Sequence, residues 1–231
     1  MKSGIGRLIT LEGIDGSGKS TALPHIASRL GEELPDRRLV LSAEPTKGPV
    51  GRIIRSNLSG TPTSGSPHEQ PACIQKACYR QAQAAARMNE LFLFFADHAQ
   101  HLASTIIPAL EDGAIILCDR YADSTAAYQG VTLREVLPDP VAWIQSILLP
   151  WNRPPDMTLL FLIDPRAAMQ RMQSRSGREK FERLEFLQSV DENFRRMAAA
   201  EPKRFVLIDA EKGERQVAED AVEAILRRLP L

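Results

Sequence analysis

A chain of 231 residues with 43% hydrophobic and 25% charged residues has the composition of one packed globular domain and not of a disordered segment. Its 29 Lys plus Arg balance 29 Asp plus Glu, so the formal net charge is zero, which argues against partners such as nucleic acid or an anionic membrane surface. The three cysteines, Cys73, Cys78 and Cys118, have no C-x-x-C spacing and read as reduced, buried thiols of a cytoplasmic protein.

In chain order, residues 1–7 carry no apolar stretch with a small-residue cleavage site, so no secretory signal is expected. The longest strongly apolar run, 91–96, is far below the ~20 residues that span a bilayer. Short near-continuous apolar runs recur at Arg7–Glu12, 38–43, 114–118, 157–163 and 204–208, the pattern of strands covered on both faces. Helical spacing separates them, as in Val217, Ala221, Ala224, Ile225 and Leu229. Strands alternating with helices predict βαβ units and a five-stranded parallel sheet with helices on both faces. Three stretches break the rhythm: a Gly/Ser/Thr/Pro-rich loop at 58–71, a proline-rich segment with two tryptophans at 138–155, and a basic, glycine-centred flap at 174–180. The loop reads as an insertion, because strands of the same sheet resume after it.

Gly13-Ile14-Asp15-Gly16-Ser17-Gly18-Lys19-Ser20 fits G-x-x-x-x-G-K-[ST] and follows the first run directly. Glycines let the backbone turn tightly and aim N–H groups at phosphate oxygens, and a helix starting near Lys19 adds its positive end. The nucleotide-binding positions are therefore Gly13, Gly16, Ser17, Gly18, Lys19, Ser20 and the following Thr21, with Mg²⁺ on the Ser20 hydroxyl. No N-K-x-D segment is present, which argues against a GTPase. The third run closes on Cys118-Asp119-Arg120 in place of an Asp-Glu pair, which argues against a motor or transporter ATPase. A small kinase remains.

Glu44-Pro45-Thr46 closes the second run with Arg52 and Arg55 after it, and Asp119-Arg120-Tyr121 closes the third. Ligands of open α/β sheets sit beyond the carboxyl ends of the strands, so these segments are expected opposite the phosphate loop. At LEGIDGSGKS (11–20), EPTKGPVGRIIR (44–55), FFADHAQH (94–101), DRYADSTAAYQG (119–130), PDMTLLFLID (155–164) and RSGREKFE (175–182), the chain resembles the thymidylate kinase family over nearly its whole length. The stretch at 119–130 is the most specific of these.

The resemblance implies a P-loop NTPase-like fold, a single domain over 1–231, and transfer of the ATP γ-phosphoryl group to dTMP for dTTP synthesis. It implies a lid at about 174–182, and the stretch at about 58–90 looks longer than the family usually has, an acceptor-side insertion. It also implies that Arg120 and Arg55 bind the acceptor phosphate, and that Asp119 works near that phosphate or its Mg²⁺. Glu44, Pro45 and Glu182 fall at acceptor-side positions. Phe94 would stack on the base, with Thr125 and Tyr128 beside base and sugar, and Asp15 would meet the acceptor's sugar or phosphate. Spacing alone reads Phe94 as core and Tyr128 as a surface residue capping a turn. Position 16 being Gly, the lid residues Arg175 and Arg178 are implied to neutralise the transition state with Lys19 and Arg120. A homodimer through helices near 92–108 is implied as well.

The pattern departs at His98, where the family commonly has an arginine donating to the base, and at Ala43, where many members have arginine. Imidazole is shorter and, when neutral, donates one N–H. This keeps open a kinase for another deoxypyrimidine monophosphate, dUMP or a modified base, beside a non-catalytic nucleotide-binding relative. His98 and His101 share a helix face, but two histidines without a third ligand read as structural, and no metal beyond Mg²⁺ is expected.

Overall fold

The computed structural model describes residues 5–58, 76–173 and 180–229. Five strands form one parallel sheet: β1 (Arg7–Glu12), β2 (Leu39–Ala43), β3 (Ile115–Asp119), β4 (Met157–Leu162) and β5 (Phe205–Asp209). Their spatial order is β2-β3-β1-β4-β5. Ile115, Ile116, Leu117 and Cys118 are all fully buried. Because successive strand residues point to opposite faces, both faces of the sheet must be covered. β2 lies at the edge, and its Leu41 is half exposed.

The described helices are α1 (Lys19–Glu33), α2 (Pro49–Leu58), α3 (Lys76–His101), α4 (Ile107–Glu111), α5 (Ala122–Thr132), α6 (Pro140–Leu148), α7 (Pro165–Gln173), α8 (Lys180–Ala200) and α9 (Glu214–Arg228). Between α3 and α4, Leu102–Ile106 forms a widened π-helical turn. The helix α1 packs on α9, while α5 packs on α3, α6 and α8. Val217, Ala221, Ile225 and Leu229 bury the inner face of the last helix, as its 3.6-residue spacing requires.

Register decides what meets at the top of the sheet. Leu11 and Ala43 both pair with Asp119, so the ends of β1, β2 and β3 lie side by side. Strand ends differ from the apolar runs by one residue: β3 and β5 continue through Asp119 and Asp209, whereas β2 and β5 begin after Arg38 and Arg204. A polar residue can close a buried strand when its side chain has left the core. The segment at 138–155 contains α6, capped by Asp139 Oδ1, which accepts the Ala142 N–H at 3.2 Å. Of the insertion at 58–90, residues 76–90 are the first turns of α3. Residues 59–75, and with them most of the 58–71 loop and Cys73, lie outside the described residues.

Candidate active site

The loop between β1 and α1 is bent by Gly13, Gly16 and Gly18, whose φ angles are 139°, 80° and 90°. A side chain at 16 would also place its Cβ 2.5 Å from the Ala168 carbonyl oxygen, so α7 rests directly on the loop. Lys19 is almost fully buried. Its Nζ donates to Gly13 O and Ile14 O, each at 2.9 Å, and to Ser17 Oγ at 3.0 Å. Burial, and then the nearby Arg120 charge, push the Lys19 pKa down to about 7.

Arg120 follows β3 in the left-handed region, φ 67°. Its Nη1 donates to Gly13 O at 3.2 Å and to Ser124 Oγ at 3.1 Å. Its Nη2 donates to Asp15 Oδ1 at 2.7 Å and to the Tyr128 hydroxyl at 3.3 Å. Burial opposes the charge, but Tyr128, Asp15, Glu12 and Asp119 more than offset it and hold the guanidinium ionised. Tyr128 is no exposed turn cap: it sits half-buried on α5, and its hydroxyl accepts the Asp15 N–H at 2.9 Å. Thr125 is buried in the first turn and a half of the same helix.

Ser20 Oγ donates to Asp119 Oδ2 at 2.5 Å. Asp119 Oδ1 is buried and has no hydrogen-bond partner among the described residues. A spare carboxylate oxygen next to a hydroxyl is the hard-oxygen donor set that fits Mg²⁺.

The acceptor loop is fastened to α3. Asp97 Oδ2 accepts the Thr46 N–H at 2.7 Å, and its Oδ1 accepts the Thr46 hydroxyl at 2.5 Å. The Glu44–Pro45 peptide is cis. Glu44 is buried, and its Oε1 accepts from His98 Nδ1 at 2.8 Å and His101 Nδ1 at 2.7 Å. The other His98 nitrogen meets Asn152 Oδ1 at 3.0 Å. Its ring packs edge-on against Tyr121 and tilted against Trp151. Arg55 donates to the carbonyls of Pro45 and Thr46. Phe94 is half-buried and stands outside the core to which Leu91 and Phe95 belong. Arg175 and Arg178 and the Glu182 side chain lie outside the described residues.

Three features were missed from the sequence. A cavity of about 710 Å³ runs from the phosphate loop past Arg120 and Arg171 to Ala210, Lys212, Gly213 and Glu214. Its far wall was legible only as the Gly213 turn that separates β5 from α9. Asn152 was hidden in a proline-rich stretch. Glu12, at the end of β1, is fully buried. Burial, and then the Asp123 charge, raise its carboxyl well above the usual range. Asp123 is itself neutralised by Arg204, which donates to it at 2.5 and 3.1 Å. A charged residue closing an otherwise apolar strand was the available signal for Glu12.

Residues 11–221 match the family model described as thymidylate kinase. A probable thymidylate kinase of Methanosarcina mazei is 41% identical over 224 residues, 96% of each chain. That of Methanosarcina barkeri is 42% identical over 226 residues, covering 97% of this chain and 98% of the relative. A third, from Natronomonas pharaonis, is 40% identical over 94% of this chain and 96% of its own. With the phosphate loop, the Arg120 cluster and the five-stranded sheet in place, the chain belongs to the thymidylate kinase family.

Proposed function

We infer that this protein is a cytoplasmic, ATP-dependent dTMP kinase that transfers the γ-phosphoryl group to dTMP and releases dTDP and ADP, a step toward dTTP. The observation that carries this reading is the meeting of two cations at one atom. Lys19 Nζ and Arg120 Nη1 donate to the same Gly13 carbonyl, at 2.9 and 3.2 Å. Lys19 rises from the donor-phosphate loop and Arg120 from the acceptor side, so a phosphoryl group passing between them stays within reach of both charges.

Phosphoryl transfer asks little covalent chemistry of the protein; alignment and charge neutralisation supply the rate. Lys19 and the N–H groups of residues 13–21 grip the donor phosphates, while Arg120, with Arg55, orients the acceptor phosphate. Ser20 and Asp119 are the residues that would hold Mg²⁺. When bound, that ion neutralises charge on the donor phosphates. Phe94 stacks on the thymine, Thr125 and Tyr128 border base and sugar, and Asp15 exchanges its Arg120 contact as the acceptor enters. Glu44 and Pro45 shape the acceptor loop, Glu182 adds an acidic group on that side, and Arg175 and Arg178 close over the phosphates. Two copies pair through the face carrying Phe92 and Ile107, both large, apolar and about half exposed.

A coupled assay of ATP and Mg²⁺ with dTMP, dUMP, dCMP, dGMP and UMP tests the reading. Fast ADP formation with dTMP above the other acceptors is expected. Preference for another acceptor would overturn the substrate assignment, and no turnover with any of them would overturn the enzyme.

A further inference from the structure

Glu12 has no part in the chemistry above, yet it is fully buried one residue before the phosphate loop. Ser124 Oγ donates to its Oε2 at 2.5 Å. Its Oε1 has no hydrogen-bond partner among the described residues. Burying a carboxyl group beside a second acid, Asp123, works against folding, so its placement calls for a return elsewhere.

That return lies in the direction of one hydrogen. A serine hydroxyl has a single hydrogen to give and lone pairs to receive. Ser124 gives its hydrogen to Glu12 and receives from Arg120 Nη1 at 3.1 Å. With the hydrogen held by Glu12, the lone pairs stay turned to the guanidinium. Were the hydroxyl free to rotate, its hydrogen would oppose a cation that only donates.

The two edges of the guanidinium are held differently. Nη1 is tied to interior oxygens, Ser124 Oγ and Gly13 O. Nη2 meets Tyr128 and Asp15, and the Asp15 side chain is 47% exposed. An incoming anion can displace the outer pair while the inner pair stays. We propose that Glu12 is a positioning residue for the acceptor phosphate: through Ser124 it anchors the Nη1 edge of Arg120 and leaves the Nη2 edge open to the cleft. This rests on the reading of Arg120 as the acceptor-phosphate grip.

Steady-state kinetics of Glu12→Gln, Glu12→Ala, Ser124→Ala and Arg120→Ala, with ATP and dTMP varied separately, test it. Glu12→Ala and Ser124→Ala should each raise the KM for dTMP roughly tenfold, the scale of one buried hydrogen bond to a charged group, with the KM for ATP nearly unchanged. The double variant should be no worse than either single one, because both break the same relay. Glu12→Gln should keep a near-native KM for dTMP, since its amide oxygen accepts the same hydrogen. Ser124→Ala removes no charge and keeps the test readable if Glu12→Ala fails to fold. Equal rises in both KM values, or Glu12→Gln as impaired as Glu12→Ala, would overturn the proposal. So would a native dTMP KM in Ser124→Ala beside a raised one in Arg120→Ala. A native dTMP KM in Arg120→Ala would instead overturn the reading of Arg120, and the proposal with it.

Discussion

His98 and Glu44 form a buried pair, Nδ1 to Oε1 at 2.8 Å, at the junction of α3 and the end of β2. The ring's other nitrogen lies 3.0 Å from an oxygen of Asn152, and two oxygen partners suit a ring that donates from both nitrogens, the imidazolium form. Both ring nitrogens of His98 are thus occupied within the scaffold that carries the acceptor loop.

The pair makes stability depend on pH in a definable window. Burial opposes charge on both groups, but Glu44 raises the His98 pKa above its usual 6.5, and His98 with His101 lowers Glu44 below its usual 4.5. A histidine with a raised folded pKa contributes fully below 6.5 and loses that contribution as pH climbs through the folded value. A carboxylate with a depressed pKa contributes above 4.5 and loses it as pH falls through the folded value. Urea midpoints should therefore peak between these limits and decline on the alkaline side of 6.5. In His98→Gln the alkaline decline should shrink; an unchanged slope would refute the imidazolium assignment.

Glycines 16 and 18 separate strain from collision. Both have positive φ, but a Cβ at 16 would meet the Ala168 carbonyl oxygen at 2.5 Å, whereas one at 18 meets nothing within 4 Å. Gly18→Ala should cost about 1–2 kcal/mol, the left-handed penalty alone. Gly16→Ala should cost more and weaken ATP binding, because α7 or the loop must move. Thermal unfolding and ATP titration of the two variants check the order, and equal losses would contradict the close approach of α7.

Neighbouring phenylalanines on α3 should behave oppositely. Phe95 is 8% exposed, with its ring edge-on to Trp151 at 6.2 Å; its replacement by alanine should cost about 3–5 kcal/mol of stability. Phe94 stands outside that core, so Phe94→Ala should leave the unfolding midpoint nearly unchanged. Its cost should fall on dTMP instead, at about 1–3 kcal/mol for a lost base–aromatic stack. A large stability loss in Phe94→Ala, with a native KM for dTMP, would return Phe94 to the core.

The five strands were legible because each is a short apolar run, buried on both faces in β1, β3 and β4 and only partly covered in the edge strands β2 and β5, and the phosphate loop because glycine, lysine and serine stand at a fixed spacing. What hid was pairing across distance. Nothing local to Glu12 points to Ser124, 112 residues on, or joins Asp123 to Arg204. The same holds for His98, where sequence identified an unusual residue facing the base question but not the carboxylate and amide that occupy both its nitrogens. The apolar run of β3 stops at Cys118, yet the Asp119-Arg120-Tyr121 segment was legible as the close of that strand, and Asp119 is its last residue.

Asp119 and Ser20 make the last prediction. Their side chains are joined by one 2.5 Å hydrogen bond across the gap between β3 and α1, and the second Asp119 oxygen is buried with no hydrogen-bond partner among the described residues. If this pair holds Mg²⁺, chelation with EDTA should abolish turnover and excess Mg²⁺ should restore it. Ser20→Ala should then shift the Mg²⁺ concentration for half-maximal rate upward by about tenfold or more, the scale of losing one metal-orienting group, while Asp119→Asn should both shift it and lower the maximal rate. The unfolding midpoint in EDTA separates this from a structural role. Asp119→Asn keeps an acceptor for the Ser20 hydroxyl, so it should unfold near the native temperature without metal. A native Mg²⁺ response in both variants would remove these two residues from the metal site.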